Sequence, residues 1–336
     1  MELGNEAQKL PMPEFCCAPI LLLGFNRADS MAAQIEAVRA ARPARLYVAV
    51  DGPRENKPNE AEQCCAVQDC IKNIDWPCEI KTLFREKNFG CKYSVSGAIT
   101  WFFENEEKGI VLEDDCRPTI DFLRFATEML ERYKDDERVG AINGFNHFNL
   151  QTNPDVSYHF SSHMDVWGWA SWRRVWNEYD VDMAFCHGNE DSIIESSKLT
   201  RYYKWLYKRF VNDVKYGLSS WAIPFSILFL FKGWMSVVPK KRLVANAGLD
   251  DNRATHTGGY IYWGKDWSKA GVLDFPLVHP NEVVCDEEAD RTRERIEGAI
   301  FPRGLTWIGA KFPCLSGLMT FIGKIAEKVA PFLFRW

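Results

Sequence analysis

Residues Gly109–Asp115 read Gly-Ile-Val-Leu-Glu-Asp-Asp, an apolar run suited to a buried strand that stops in three consecutive carboxylates. Three like charges raise one another's pKa, so the arrangement is stable chiefly where a divalent cation or a row of donors neutralises it. In an extended chain Glu113 and Asp115 share one face and Asp114 looks to the other. A solvated acidic turn before Pro118 is the plainer alternative. The apolar lead-in argues against it, because it sets the carboxylates at the carboxyl end of a buried strand, where open α/β sheets bind ligands.

The rest of the chain supplies such a sheet. Pro19–Phe25, Arg45–Val50 and Glu79–Phe84 are further strand-like runs. Helical patterns lie between them: from an N-cap at Asp29 or Ser30 through Ala41, around Ala61–Ile71, and after Asn88-Phe89-Gly90. In the last of these Val95, Ala98, Ile99, Phe102 and Phe103 fall on one face, and Phe122, Phe125, Ala126, Met129 and Tyr133 mark the helix after the acidic strand. This alternation predicts an α/β fold with a mostly parallel central sheet and helices on both faces. With 336 residues, 46% of them hydrophobic, the core can be large and disorder is excluded. A net charge of only -5 excludes nucleic acid as the main partner, since phosphate binding needs a basic face.

No Pro/Gly/Ser linker divides the chain, and the change of character after Val139 predicts a subdomain boundary near Asn143 inside one continuous domain. Eleven cysteines occur without CxxC or Cys/His ligand spacing, so they read as reduced, mostly buried thiols. With no apolar leader after Met1, this gives the expectation of a cytoplasmic protein. Trp221–Phe231 is strongly apolar but short and contains Pro224, which suits a core helix or strand. The tail from Phe301 carries Arg303, Lys311, Lys324, Lys328 and Arg335 against Glu327, with apolar residues between. It reads as a basic amphipathic helical segment, either lying on an anionic membrane surface at the inner membrane face or docked on the domain.

Val111-Leu112-Glu113-Asp114-Asp115, with Pro118 and the Phe122 helix behind it, resembles the metal-binding signature of GT-A (Rossmann-like) glycosyltransferases, close to the form in N-acetylglucosaminyltransferase I. Trp167-Gly168-Trp169-Ala170-Ser171-Trp172, Asn246–Gly248 and Thr255-His256 are similar, in order, to motifs of a bacterial set of GT-A-like proteins. The resemblance implies a GT-A domain over 18–260, with a donor half 18–140 and an acceptor half 141–260, followed by an extension 261–336. It further implies that Asp115, with His256, ligates Mn²⁺ or Mg²⁺, that Asp114 contacts the ribose, and that Glu113 supports the strand end.

Asn26 and Arg27 would line the nucleotide pocket and Asp51 would hydrogen-bond the base, although Asn26-Arg27 also reads as a helix-entry turn and Asp51-Gly52 as a turn pair. Lys92, at a helix start, suits a phosphate. Trp167 and Trp169 would stack on an acceptor sugar that Gly168 lets approach, with core packing as the alternative. The slot where inverting enzymes of this kind carry their base reads Ser219-Ser220-Trp221-Ala222, without an acid. Asp165, Asp213, Asp250 and Asp251 remain as candidates, Asp165 first because it directly precedes the tryptophan motif.

The resulting expectation is a metal-dependent glycosyltransferase of cell-surface polysaccharide synthesis, moving a sugar from a nucleotide-sugar donor to a hydroxyl of a glycan or lipid-linked acceptor. A nucleotidyltransferase and a non-catalytic sugar-nucleotide or glycan binder are the alternatives. The former usually needs a Gly-rich basic loop after the first strand, which Phe25-Asn26-Arg27-Ala28 is not.

Overall fold

The computed structural model describes residues 15–248 and 267–300, with side chains to 298. Asp251, His256 and the tail 301–336 lie outside the described residues. Ten strands and nine α-helices are described. Eight strands form one sheet in the order β3-β2-β1-β4-β8-β6-β9-β7. Here β1 is Ile20–Gly24, β2 Arg45–Val50, β3 Glu79–Phe84, β4 Lys108–Leu112, β6 Val139–Asn143, β7 Tyr158–Ser161, β8 Trp169–Trp172 and β9 Met235–Pro239. The first four strands are mutually parallel, as expected from βα alternation. The second half departs from that rule. Strand β8 runs antiparallel to both β4 and β6, β9 is parallel to β6, and β7 is antiparallel to β9. Two short strands, β5 (Cys116–Pro118) and β10 (Val244–Asn246), pair antiparallel in a separate ribbon.

The helices sit where apolar periodicity put them. The helix α3 (Gly90–Asn105) buries Ala98, Ile99, Phe102 and Phe103. The helix α4 (Ile120–Arg132) buries Phe122, Phe125, Ala126 and Met129, and Thr119 caps it by accepting the Phe122 N–H at 3.2 Å. The helix α1 (Ala28–Arg39) begins just before the expected cap residues, with no side-chain cap. The run after Trp221 is the helix α8 (Ala222–Lys232); Pro224 lies in its first turn, where no intrahelical donor is lost, and Gly233 ends it at φ 66°. Among the described residues no helix is long and apolar enough to cross a membrane.

Residues 267–298, expected as the beginning of an extension, pack into the same core. Leu273 and Leu277 are buried there, and Phe160 of β7 bridges to Cys285. The helix α9 (Glu287–Ile300) docks through charge. Its Asp290 accepts from Ser161 Oγ at 2.6 Å and the Ser162 N–H at 2.8 Å, its Glu294 meets His163 at 3.0 Å, and its Arg293 forks onto Asp165.

This network predicts a pH profile. Burial by itself would lower the His163 pKa, but the Glu294 hydrogen bond and Asp290 raise it above its ordinary value. The folded protein therefore holds that proton more tightly than the unfolded chain, so the contribution is complete below about pH 6.5 and is lost as pH rises through the raised value. Asp165, Asp290 and Glu297 are all held low despite burial, Asp165 and Glu297 by Arg293 and His147, and Asp290 by His163 and the serines. Their contributions are present above about pH 4 and are lost as pH falls. His159 and His279, whose pKa values burial lowers, act in the opposite sense, and their contributions are lost as pH falls below about 6.5. The His163 contribution is therefore read by difference: in urea denaturation across pH, His163→Gln should flatten the decline above about pH 6.5. An unchanged alkaline limb in that variant would assign the decline to another group.

Candidate active site

The site begins at the carboxyl ends of β1, β2 and β4. The chain does not stay extended after Leu112. It turns, with the Cys116 N–H donating to the Glu113 carbonyl at 2.9 Å, and enters β5. The expected alternation of faces therefore does not govern the three carboxylates, and each meets a different part of the protein. Asp114 is gripped by Arg27, whose Nε lies 2.9 Å from Oδ2 and whose Nη2 closes the second arm of the fork on Oδ1. Asp115 accepts from Asn246 Nδ2 at 3.1 Å, and its backbone carbonyl accepts the Ala247 N–H at 2.8 Å. Glu113 is approached by the Trp221 side chain.

Counter-charge is short here. Burial raises Glu113 well above the ordinary carboxylate range, with Asp115 and then Asp114 adding to it. Burial and Asp114 likewise raise Asp115 against the hydrogen bonds from Asn246 and Cys116. Cys91, at the start of α3, is pushed up to about 12 by burial and by the same carboxylates, so the helix start adjoins the turn. Arg117 is used from below, donating to the backbone carbonyls of Asp114 at 2.8 Å and Cys116 at 3.0 Å.

The donor set fits a hard divalent cation, since it consists of carboxylate oxygens whose repulsion Arg27 relieves only in part. Among the described residues no group of three or more His, Cys, Asp or Glu side chains is placed to hold a metal. A cation at Asp115 would thus take one or two protein carboxylates and complete its shell from phosphate oxygens and water, the habit of Mg²⁺.

Other expected donor-site residues have local partners. Asn26 donates to Glu60 at 3.2 Å, and Glu60 in turn accepts from the Arg54 N–H at 2.7 Å. The Asp51 carboxylate, expected at the base, instead accepts from the N–H groups of Gly52, Phe89 and Gly90 and from Asn88 Nδ2, all at 2.9–3.1 Å. It thereby ties the end of β2 to the start of α3, a favourable place for an anion. Gly52 allows this closeness, because a Cβ there would lie 2.4 Å from the Lys87 carbonyl carbon. Lys92 is ion-paired with Asp182 at 2.9 Å, away from a free phosphate-binding pose.

Asp165 and the tryptophans are placed differently from expectation. Asp165 is buried between Arg293, both of whose terminal nitrogens lie 2.8 Å from its oxygens, and His147 at 2.9 Å. Both of its oxygens are thus engaged by donors, an arrangement that suits an anchor for α9 better than a base open to an acceptor hydroxyl. Asp213 pairs instead with Arg209 at 3.5 Å on the helix α7 (Arg201–Lys215). Trp169 is fully buried, stacked on Trp221 with ring centroids 5.9 Å apart, and is a core residue. Trp167 alone of the pair is partly exposed, stacked against His147 and beside Trp267.

Gly168 adopts φ +69°, and a Cβ there would lie 2.8 Å from a Val244 methyl. Its smallness thus serves the backbone and the β10 contact rather than a sugar's approach. Gly168→Ala should cost about 1–3 kcal/mol, read from the urea midpoint; an unchanged midpoint would mean the loop relaxes freely.

The fold does bring the sequence motifs together. Gly168 packs on Val244, Asn246 lies two residues further along β10, and Asn246 holds Asp115. Sequence reading missed Gln34, a fully buried residue of α1 whose Nε2 reaches the Leu112 carbonyl at 3.3 Å and also that of Glu113. A long polar side chain on the otherwise largely apolar face of α1, between Met31, Ile35 and Val38, was the available signal.

No known family model matches the chain, and no curated protein matches it. Similar solved structures include UDP-glucose pyrophosphorylase complexed with UDP-glucose, 9% identical, with 67% of this chain and 90% of that one covered at a TM-score of 0.34. Apo UDP-glucose pyrophosphorylase is 8% identical, with 66% and 90% covered at 0.29. The 4-diphosphocytidyl-2C-methyl-D-erythritol synthase of Anaerococcus prevotii is 8% identical, with 57% and 84% covered, also at 0.29. Likenesses this slight carry no argument about substrate or activity.

Proposed function

We propose that this protein is a metal-dependent glycosyltransferase that takes a sugar from a nucleoside-diphosphate donor and passes it to a hydroxyl of a glycan or lipid-linked acceptor. The observation that carries the reading is the under-compensated carboxylate turn at the carboxyl ends of β1, β2 and β4, with Asp114 forked by Arg27 and Asp115 steadied by Asn246. A Mg²⁺ or Mn²⁺ bound there would neutralise the charge that develops on a departing diphosphate.

The chain's own residues do the positioning. Arg27 holds Asp114 in one orientation for a ribose, Asn246 does the same for Asp115, and Gln34 pins the strand end that carries them. Trp167, partly exposed and linked to Asp115 through Gly168 and β10, is the aromatic surface best placed for an acceptor sugar. The loop after β1 offers no Gly-rich cradle for a triphosphate, and its Arg27 is already engaged by Asp114, which disfavours nucleotidyl transfer.

A thermal-shift panel of nucleotide sugars with and without Mn²⁺ tests the proposal. A true donor at 100 times its Kd should stabilise the protein by about 2.7 kcal/mol, only in the presence of metal. Pyrophosphate release from a nucleoside triphosphate and a sugar phosphate would overturn the reading in favour of a nucleotidyltransferase.

A further inference from the structure

Behind Trp167 lies a box of rings. Phe145, His147, Trp167 and Trp267 are mutual neighbours, with centroids 4.8–5.8 Å apart. Phe145, His147 and Trp267 are buried, and Trp167 is the partly exposed member of the group. Against its indole Phe145 stands edge-on at 87°, Trp267 is tilted by 58°, and His147 lies within 18° of parallel. The imidazole is therefore the flat surface on which Trp167 rests.

That surface is held from several sides. Arg242 donates through Nη2 to the His147 carbonyl at 2.9 Å, and its guanidinium lies over the Phe145 ring at 4.7 Å. On the imidazole itself, Nε2 lies 2.9 Å from Asp165 Oδ1 and 3.1 Å from a terminal nitrogen of Arg293, and Nδ1 lies 3.4 Å from Glu297 Oε1. An apolar ring of the same size would pack in the box and still turn in it, whereas a ring with a fixed polar neighbour at each nitrogen is set in one plane. Arg293 and Glu297 both belong to α9, so a helix far along the chain reaches the exposed indole through one side chain. A sugar stacks best on an indole whose plane is already set. One that has to be ordered on binding loses about threefold to tenfold in affinity.

We infer that His147 is a positioning residue for the acceptor: it transmits the docking of α9 to Trp167 and fixes the indole plane on which the C–H face of a sugar stacks. The inference rests on the transfer reading, in which Trp167 meets the acceptor sugar.

The test is fluorine NMR on the full chain labelled with fluorotryptophan, with the methyl β-glycosides of glucose, galactose and N-acetylglucosamine as probes. The Trp167 resonance is identified by its absence from Trp167→Phe. In the wild type it should be a single line that moves on titration with at least one glycoside. In His147→Ala the line should be broadened or split before any sugar is added, and the Kd for that glycoside should rise about threefold to tenfold. Stabilisation by a nucleotide sugar with Mn²⁺ should be the same in both proteins. If His147→Ala does not fold, His147→Gln takes its place, since it removes the ring and keeps a polar group beside Asp165. An unaltered Trp167 line or an unaltered Kd in the variant overturns the inference, as does a wild type in which no glycoside moves the line. Failure of the transfer reading shows elsewhere, as a wild type that no nucleotide sugar stabilises while a glycoside still moves the Trp167 line, and it leaves the positioning of Trp167 by His147 standing.

Discussion

Arg293→Ala should destabilise the protein by about 3–5 kcal/mol in urea denaturation at pH 7, the cost of removing one partner of a buried ion pair. Arg293 reaches from α9 into the domain and meets Asp165 at 2.8 Å through both terminal nitrogens, Glu297 at 3.1 Å and His147 at 3.1 Å. Its loss leaves the largely buried carboxylates of Asp165 and Glu297 with His147 as the basic group beside them, at 2.9 and 3.4 Å. Replacing Asp165 as well is a different matter: Asp165→Asn with Arg293→Met removes one of the two carboxylates along with the cation and should recover part of the loss, Glu297 remaining charged. A loss below about 1 kcal/mol in Arg293→Ala is what an exposed pair would give, and would mean that α9 is not docked as described. The same experiment separates two roles for Asp165. Were it the catalytic base, Asp165→Asn would abolish transfer while leaving the urea midpoint alone; as an anchor, it should shift the midpoint.

Asp115→Asn should reduce sugar transfer by at least about a thousandfold, on the order of 4 kcal/mol of transition-state stabilisation, measured as nucleoside-diphosphate release with Mn²⁺ present. The fold should not suffer. Asp115 is raised by burial and by its neighbour Asp114, so neutralising it relieves repulsion, while the amide oxygen can still accept from Asn246. The melting temperature is expected to match or exceed that of the wild type, with a gain of up to about 1 kcal/mol, the pattern of a site whose strain serves function. Retained transfer in Asp115→Asn would sink the proposed function. A large drop in melting temperature would instead show Asp115 to be structural.

Much of the first half of the fold was legible because a strand buried on both faces must be apolar throughout. Ile20–Gly24, Arg45–Val50 and Lys108–Leu112 are such runs, and each is followed by a helix with one apolar face. The second half was harder to read. The strand β8 is only Trp169–Trp172, and its antiparallel insertion between β4 and β6 depends on pairing across the sheet rather than on local pattern. The tryptophan-rich run likewise does not reveal which ring faces solvent. That depends on Trp221, which precedes α8, and Phe225 within it arriving over Trp169, and on His147 and Trp267 flanking Trp167.

Residue type alone determined that Glu113, Asp114 and Asp115 end a buried strand and that their charges repel, because neither conclusion needs a distant partner. Tertiary structure decided what each acidic residue does. Arg27 lies 87 positions from Asp114, Asn246 lies 131 from Asp115, and Arg293 lies 128 from Asp165. A carboxylate's role follows from the donors and charges within a few ångströms of it, and those are supplied by folding. The same residue type thus becomes a helix-start anchor at Asp51, a buried ion-pair partner at Asp165, and at Asp115 a group still short of its counter-charge.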